Sequence, residues 1–382
     1  MTVFADTRLE RTLKFFIENE PRIEADQVRL SLVPAPPFHE DERARVFADE
    51  LRSIGLKPVS DAIGNVIAAY DDYGENPVVV GAHLDTVFPA DVPLQLRRNG
   101  RVLFLPGIAD NGSGLVALLW IVRAAKEVGL RFRRPLIVVG NVGEEGEGNL
   151  RGVRHLFTAP PWEGKRCDFI AIDVGGVQRV THKALGSRRF RLRMTGPGGH
   201  SWADFGRPNP VHALAGAVHS FVSGAGRRPG VSFNVGVIRG GIAVNAIPAE
   251  AVAEVDIRSV TPEHLDRLED HLKRCAADNA AALGVEFTLD LVGERPSGQT
   301  PATAPLVQAA VEATRRFGLE AQLDVGSTDA NIPMSLGIPA IAVGAGGSCG
   351  AVHTPEEWFD PLHREIGLQR LLLLVAIVAG IE

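Results

Sequence analysis

Val78-Val79-Val80-Gly81-Ala82-His83-Leu84-Asp85-Thr86-Val87 sets three β-branched residues directly before a His-x-Asp. A short β-branched run closed by Gly reads as a buried strand. Side chains two apart on an extended backbone share a face, so His83 and Asp85 project together at the strand's carboxyl end. Open α/β sheets place their chemistry at that end. An imidazole beside a carboxylate is how a metal ligand is built, the ring nitrogen on the ion and the carboxylate fixing its tautomer. The simpler reading is an ordinary hydrogen-bonded pair, and the rest of the chain decides between them.

Outward from that strand, helical periodicity covers Thr7 to Leu32, interrupted at Pro21, and His39 to Ile54. Lys57 to Val59 and Asn65 to Tyr70 read as short strands about a Gly64-Asn65 turn. On the other side, the strand Arg101 to Leu105 precedes a Gly-rich turn and an apolar helix, Leu115 to Val128. Pro135 to Val142 and Phe169 to Val174 are further buried strands. The alternation predicts an α/β fold with a mostly parallel, helix-covered sheet.

From Ala184 the pattern changes. Arg188 to Met194 alternates, Pro210 to Ser223 is helical, Val231 to Ile238 and Ala251 to Ile257 alternate, Pro262 to Leu283 is a long amphipathic helix, and Val285 to Leu291 is a last strand. This βαββαβ order predicts an inserted α+β, ferredoxin-like domain. Leu306 to Phe317 (helix) and Ala340 to Gly344 (strand) then resume the first pattern. The expected organisation is a catalytic domain over 1–183 and 294–382, with the insertion over 184–293.

Of 382 residues 45% are hydrophobic, and 40 Lys plus Arg stand against 46 Asp plus Glu, a formal charge of -6. That balance argues against nucleic acid or an anionic membrane as the partner. Cys167, Cys275 and Cys349 show no paired spacing, so no disulfide framework is expected and a reducing, cytoplasmic setting is. Met1 to Arg11 mixes charges with no apolar leader, and no run approaches about 18 uncharged apolar residues; the protein is expected to be unexported.

Four further segments carry candidate chemistry. Asp110 lies in Gly107-Ile108-Ala109-Asp110-Asn111-Gly112-Ser113-Gly114, where it is a ligand or the cap of the following helix. Glu144 and Glu145 stand together between glycines at a strand's carboxyl end; they repel unless a cation lies between them or the loop is solvated. Asp173 ends the run Phe169-Ile170-Ala171-Ile172, and His353, structural or ligating, follows the strand Ala340 to Gly344. Two His and three carboxylates suit a pair of zinc ions, one carboxylate bridging, with cobalt or manganese able to replace one. Such a pair, about 3.5–4 Å apart, clamps a carbonyl and a nucleophilic water. Glu144 is then left to take the water's proton and return it to the leaving nitrogen.

In this combination the chain resembles the di-zinc metallopeptidases and amidohydrolases that include peptidase T, carboxypeptidase G, aminoacylase-1, acetylornithine deacetylase and succinyl-diaminopimelate desuccinylase. The resemblance spans essentially the whole chain. It implies His83 and Asp173 on one zinc, Glu145 and His353 on the other, Asp110 bridging, Glu144 as general acid/base and Asp85 steadying His83. It also implies that the inserted domain is a lid and the interface of a homodimer. Within Thr195-Gly196-Pro197-Gly198-Gly199-His200-Ser201, His200 resembles the residue that polarises the scissile carbonyl, acting across a dimer. Asn245 and Arg258 resemble positions that hold the substrate's carboxylate, which a guanidinium meets with two parallel hydrogen bonds. Gly326-Ser327-Thr328-Asp329-Ala330-Asn331 resembles a loop bordering the site, and Cys349 is a further zinc-binding candidate.

Three functions are compatible with this reading: a metallopeptidase cutting di- or tripeptides, an N-acyl amino acid amidohydrolase with the same machinery, and a non-catalytic binding protein on the same fold. The last should lack a ligand or the general base, and none is missing here. The texture around Gly186-Ser187-Arg188-Arg189 and the approach to His353 is nearer to the peptidase T-like members.

Overall fold

The computed structural model describes residues 6–160 and 163–382. The expected lack of a leader in residues 1–5 lies outside them. Two compact units are present, Met1–Ala184 with Gln299–Glu382, and Leu185–Gly298.

In the first unit Val78–His83 is a fully buried strand with parallel neighbours on both sides, Leu136–Asn141 and Asp168–Ile172. Ala340–Val343 adds in parallel beyond Asp168–Ile172. Flanking these four are antiparallel strands, Val66–Ala69 against Leu136–Asn141 and Arg179–Ala184 against Ala340–Val343. The sheet is therefore mixed, parallel at its centre, rather than parallel to its edges. Buried strands of this kind need no polar alternation, which is why they read as continuous apolar runs.

Successive side chains divide between two layers. Val78 and Val80 pack with Phe16, Ile23, Leu30, Trp120 and Leu371 on one face, and Val79 packs with Ile137, Phe169, Phe157 and Ile332 on the other. The carboxyl ends of the central strands form one edge carrying His83, Asn141 and Asp173, with His83 opposite Asn141 in register.

Three features differ from the sequence reading. Pro21 does not interrupt its helix, which runs Thr7–Ser31; Pro21 is exposed, while Phe16, Ile23 and Leu30 on either side of it are fully buried and hold both halves. The expected strand Arg101 to Leu105 is shorter, Val102–Phe104, and pairs with Arg97–Asn99 and Trp358–Asp360 in a separate small sheet. A terminal helix, Arg364–Ala379, has no counterpart in the sequence reading: it is buried nearly all round, so its apolar residues show no stripe.

That helix is seated through a close approach. A Cβ on Gly367 would lie 2.2 Å from Gly346 Cα, in the loop leading to His353. Gly367→Ala is expected to cost about 1–3 kcal/mol, because backbone rather than a pliable side chain must give way. A lower urea midpoint measures it; an unchanged midpoint rejects the close approach.

The second unit has an antiparallel sheet in the order Val231–Gly240, Glu250–Ser259, Gly186–Thr195, Glu286–Arg295. Helices Pro210–Ala225 and Pro262–Leu283 cover one face through Leu214, Phe221, Leu268 and Leu272 against Phe190, Leu192, Val255 and Ile257.

Candidate metal centre

All five sequence-derived ligands come together at the carboxyl edge of the first unit's sheet. His83 is buried at the end of its strand, and its Nδ1 lies 3.0 Å from the Asp85 carbonyl oxygen. Donation to that carbonyl leaves the Nε2 lone pair available to a cation. Nε2 is 3.0 Å from Asp110 Oδ1 and 3.8 Å from Asp173 Oδ1. The other oxygen of Asp110 lies 3.0 Å from His353 Nε2, which is also 2.9 Å from Glu145 Oε1. Asp110 thus stands between the two imidazoles, as a bridging carboxylate must.

Asp110 is free for this because the neighbouring residue caps the helix Gly112–Glu127: Asn111 Oδ1 accepts from the Gly114 N–H at 3.0 Å, and Asn111 Nδ2 donates to the Ile172 carbonyl at 2.8 Å. The capping alternative for Asp110 is thereby accounted for by Asn111.

Asp85 stands beside His83 and also reaches a second pair of residues. Its fully buried carboxylate accepts the N–H groups of Glu144 and Glu145, at 2.9 and 2.7 Å, and stands 3.7 Å from the His83 ring. Its backbone carbonyl steadies His83, while its carboxylate fixes the two glutamates. Both glutamates are buried, which separates them from Glu147, the exposed acid of the same loop.

The electrostatics are those of a cation site. Burial disfavours a charged His83, yet hydrogen bonds to Asp110, Asp173 and Asp85 outweigh it and hold its pKa well above the usual value. The hydrogen bonds from Asp110 and Glu145 raise His353 to about 10. Burial works against the Asp110 carboxylate, but the two imidazoles hold its pKa far below the normal range. Burial raises Glu145. Apart from His83 Nε2, the buried oxygens Asp110 Oδ1 and Asp173 Oδ1 have no polar partner among the described residues. Candidate ligand atoms within 4.8 Å of one another form three groups: His83, Asp110, Asp173; Asp110, Glu145, His353; and His83, Glu144, Glu145. Mixed nitrogen and oxygen donors with unspent lone pairs fit a pair of divalent cations. Cys349 belongs to none of these groups among the described residues, and burial raises its thiol pKa.

Two supporting residues were not assigned roles from the sequence. Glu357, fully buried, accepts the N–H groups of Gly107, Ala109 and Asp110 at 3.1, 2.8 and 2.9 Å. Burial pushes it up to about 7 while those three bonds pull it down. The only sequence cue is its place four residues beyond His353, next to Glu356, which pairs with Arg97 at the surface. Asp329, in the loop whose side chains the sequence left without separate roles, is buried and accepts from Asn141 Nδ2 at 2.8 Å. Burial raises it to about 7.

His200, Asn245 and Arg258 lie in the second unit. The exposed His200 ring accepts at Nδ1 from the N–H groups of Trp202 and Ala203, at 3.2 and 3.3 Å, so the neutral ring carries its proton on Nε2. Asn245 is beside it, its carbonyl accepting from the Ser201 N–H at 3.0 Å. Arg258 is on the strand Glu250–Ser259, eight residues from the end nearest Asn245, about 26 Å at 3.3 Å per residue. Its Nε donates to Asp256 at 2.8 Å. The length of that strand thus lies between Arg258 and the end near which Asn245 sits.

A sheet edge with two imidazoles, an aspartate between them and two buried glutamates fits a metal-dependent hydrolase. Residues 79–377 match the family described as Peptidase family M20/M25/M40, and the chain belongs to it, among hydrolases that act on amide bonds. It is 22% identical to Bacillus subtilis YqjE over 358 residues, 89% of this chain and 93% of that protein. In fold it resembles a Staphylococcus aureus tripeptidase (TM-score 0.80, 21% identity, covering 94% of this chain and 99% of the other). It also resembles the Bacillus cereus aminopeptidase PepT (TM-score 0.77, 19% identity, 95% and 99% covered).

Proposed function

We propose that this chain is a zinc-dependent peptidase that hydrolyses di- or tripeptides, with Glu144 as general acid/base. The observation that carries the reading is the position of Glu144: buried beside His83 and Glu145, held at its N–H by Asp85, and additional to a ligand set already complete without it. His83 and Asp173 would hold one ion and Glu145 and His353 the other, with Asp110 shared. When bound, the ions supply Lewis acidity that polarises a carbonyl and makes water a nucleophile near neutral pH. Glu144 takes the proton from the attacking water and passes it to the departing nitrogen. Its burial strengthens that exchange by excluding competing solvent.

His200, with its proton on Nε2, is suited to donate to the oxyanion, and Arg258 to grip the substrate's carboxylate. The distance between Arg258 and Asn245 within one chain supports a homodimer in which His200 and Asn245 serve the partner's site, the inserted unit acting as lid and interface. His200→Ala is expected to cost about 10²-fold in kcat, the scale of one lost oxyanion donor. Mixing His200→Ala with Glu144→Ala protein should restore partial activity, because one hybrid site has both groups. No recovery after verified subunit exchange assigns His200 to its own chain.

The deciding experiment is amine release from a panel of dipeptides, tripeptides and N-acetyl amino acids, with zinc-loaded enzyme and Glu144→Ala as the blank. Cleavage confined to peptides is expected. Cleavage confined to acyl amino acids would move the enzyme to the second reading, an amidohydrolase, which its similarity to acetylornithine deacetylase and aminoacylase-1 favours.

A further inference from the structure

The second unit carries a cavity of about 280 Å³ that the hydrolytic reading does not use. It opens where the end of helix Pro210–Ala225 and the start of strand Val231–Gly240 meet helix Pro262–Leu283. His264, Arg267, His271 and Arg274 line it at positions i, i+3, i+7 and i+10 of one helix, hence on one face, and Arg228 faces them from the loop after the other helix. Leu268 contributes an apolar wall.

Three guanidiniums around one small cavity repel one another unless something anionic joins them. Among the described residues the side chains of Arg228, Arg267 and Arg274 make no ion pair or hydrogen bond. Glu263 and Asp270 are four residues before and three after Arg267, within helical reach, and neither pairs with it. Asp270 and Asp278, four residues before and after Arg274, make no ion pair with it either, while Asp266 and Glu269 hold Arg188 at 2.8 Å each and Glu269 also holds Lys273 at 2.5 Å. Three unpaired guanidiniums thus share one cavity in a chain whose formal charge is -6.

The histidines are fixed in place. The backbone leaves room for the His271 ring because residue 224 is Gly; a Cβ there would lie 2.6 Å from His271 Nε2. That nitrogen is 3.2 Å from the Phe221 carbonyl. His264 Nδ1 is 3.0 Å from Thr261 Oγ1, which leaves its Nε2 for the cavity.

We infer that this cavity binds a small phosphate-bearing anion. Guanidinium forks match phosphate oxygens with paired hydrogen bonds. The volume, near the roughly 300 Å³ lower bound of small-molecule sites, suits a phosphate with a compact organic group laid on Leu268. A concave site of that size selects a small ligand over an extended polyanion. The inference does not depend on the peptidase reading.

Calorimetric titration of the full-length, zinc-loaded protein with inorganic phosphate and with adenosine 5′-monophosphate tests it, against Arg267→Ala/Arg274→Ala and Arg228→Ala. The arginines are exposed, and two of them lie mid-helix where Ala is favourable, so an unchanged thermal midpoint will certify the fold. Saturable one-site binding is expected, weakened about 30-fold or more in the double variant and about 5-fold in Arg228→Ala. Tighter binding of the monophosphate than of phosphate will show that the apolar wall takes part; equal binding confines the site to the phosphate group. Binding of unchanged strength in the double variant, which would place the ligand at the metal centre or elsewhere, overturns the inference. So does absence of heat with both probes at about 10 mM, or tighter binding of a short single-stranded DNA than of the monophosphate.

Discussion

Glu144→Gln is expected to lower turnover by about 10³–10⁴-fold while metal content and thermal midpoint stay at their original values. Gln preserves the shape of the side chain, and the bond that positions residue 144 comes from its backbone N–H to Asp85, which the substitution does not touch. An amide can neither accept the proton of water nor deliver one to nitrogen, so only the transfer is lost. Metal analysis beside kinetics separates two roles. Full metal with lost turnover identifies the acid/base; a halved metal content would make Glu144 a ligand, which its closeness to His83 and Glu145 geometrically permits. Activity within tenfold of the original would sink the mechanism altogether.

Glu357→Ala should damage the centre from behind. The substitution leaves the N–H groups of Gly107, Ala109 and Asp110 without their acceptor in a buried place. Each such donor costs about 1–3 kcal/mol, less what an entering water recovers, so a total of about 3–5 kcal/mol is expected. Metal affinity should fall about 10–100-fold, the usual effect of removing a group that orients a ligand. Gln at 357 keeps one oxygen for Ala109 and Asp110 but presents an amide to the Gly107 N–H, so it should recover part of the affinity. Equal metal affinity in wild type, Ala and Gln proteins would reduce Glu357 to a packing residue.

The candidate ligands are legible in the sequence because each ends a recognisable element: His83 after Val78-Val79-Val80, Asp173 after Phe169 to Ile172, Glu145 after Leu136 to Val142. A strand that must be buried on both faces can carry polar side chains only at its ends. What escaped depends on contacts distant in sequence. Nothing near Glu357 predicts that its acceptors' partners lie at Gly107 to Asp110, and nothing near Asp329 points to Asn141. Asp85 was half read: the side-chain pairing with His83 is local, but the amides that occupy its carboxylate arrive from Glu144 and Glu145. The terminal helix Arg364–Ala379 was missed for the opposite reason, too much apolar sequence to show a face.

The place of Asp110 between the two imidazoles joins distant parts of the chain. His83 comes from the early part of the chain and His353 from its far end, and both converge on Asp110. A metal held by these residues would therefore act as a reversible cross-link, closing a very long loop that the unfolded chain leaves open. Chelation should do more than silence the enzyme: it should unclasp the carboxyl-terminal segment, seen as faster amide exchange around 344–357 before the rest of the sheet, and zinc should reverse it. Exchange that stays uniform after chelation would mean that packing alone holds the two ends together.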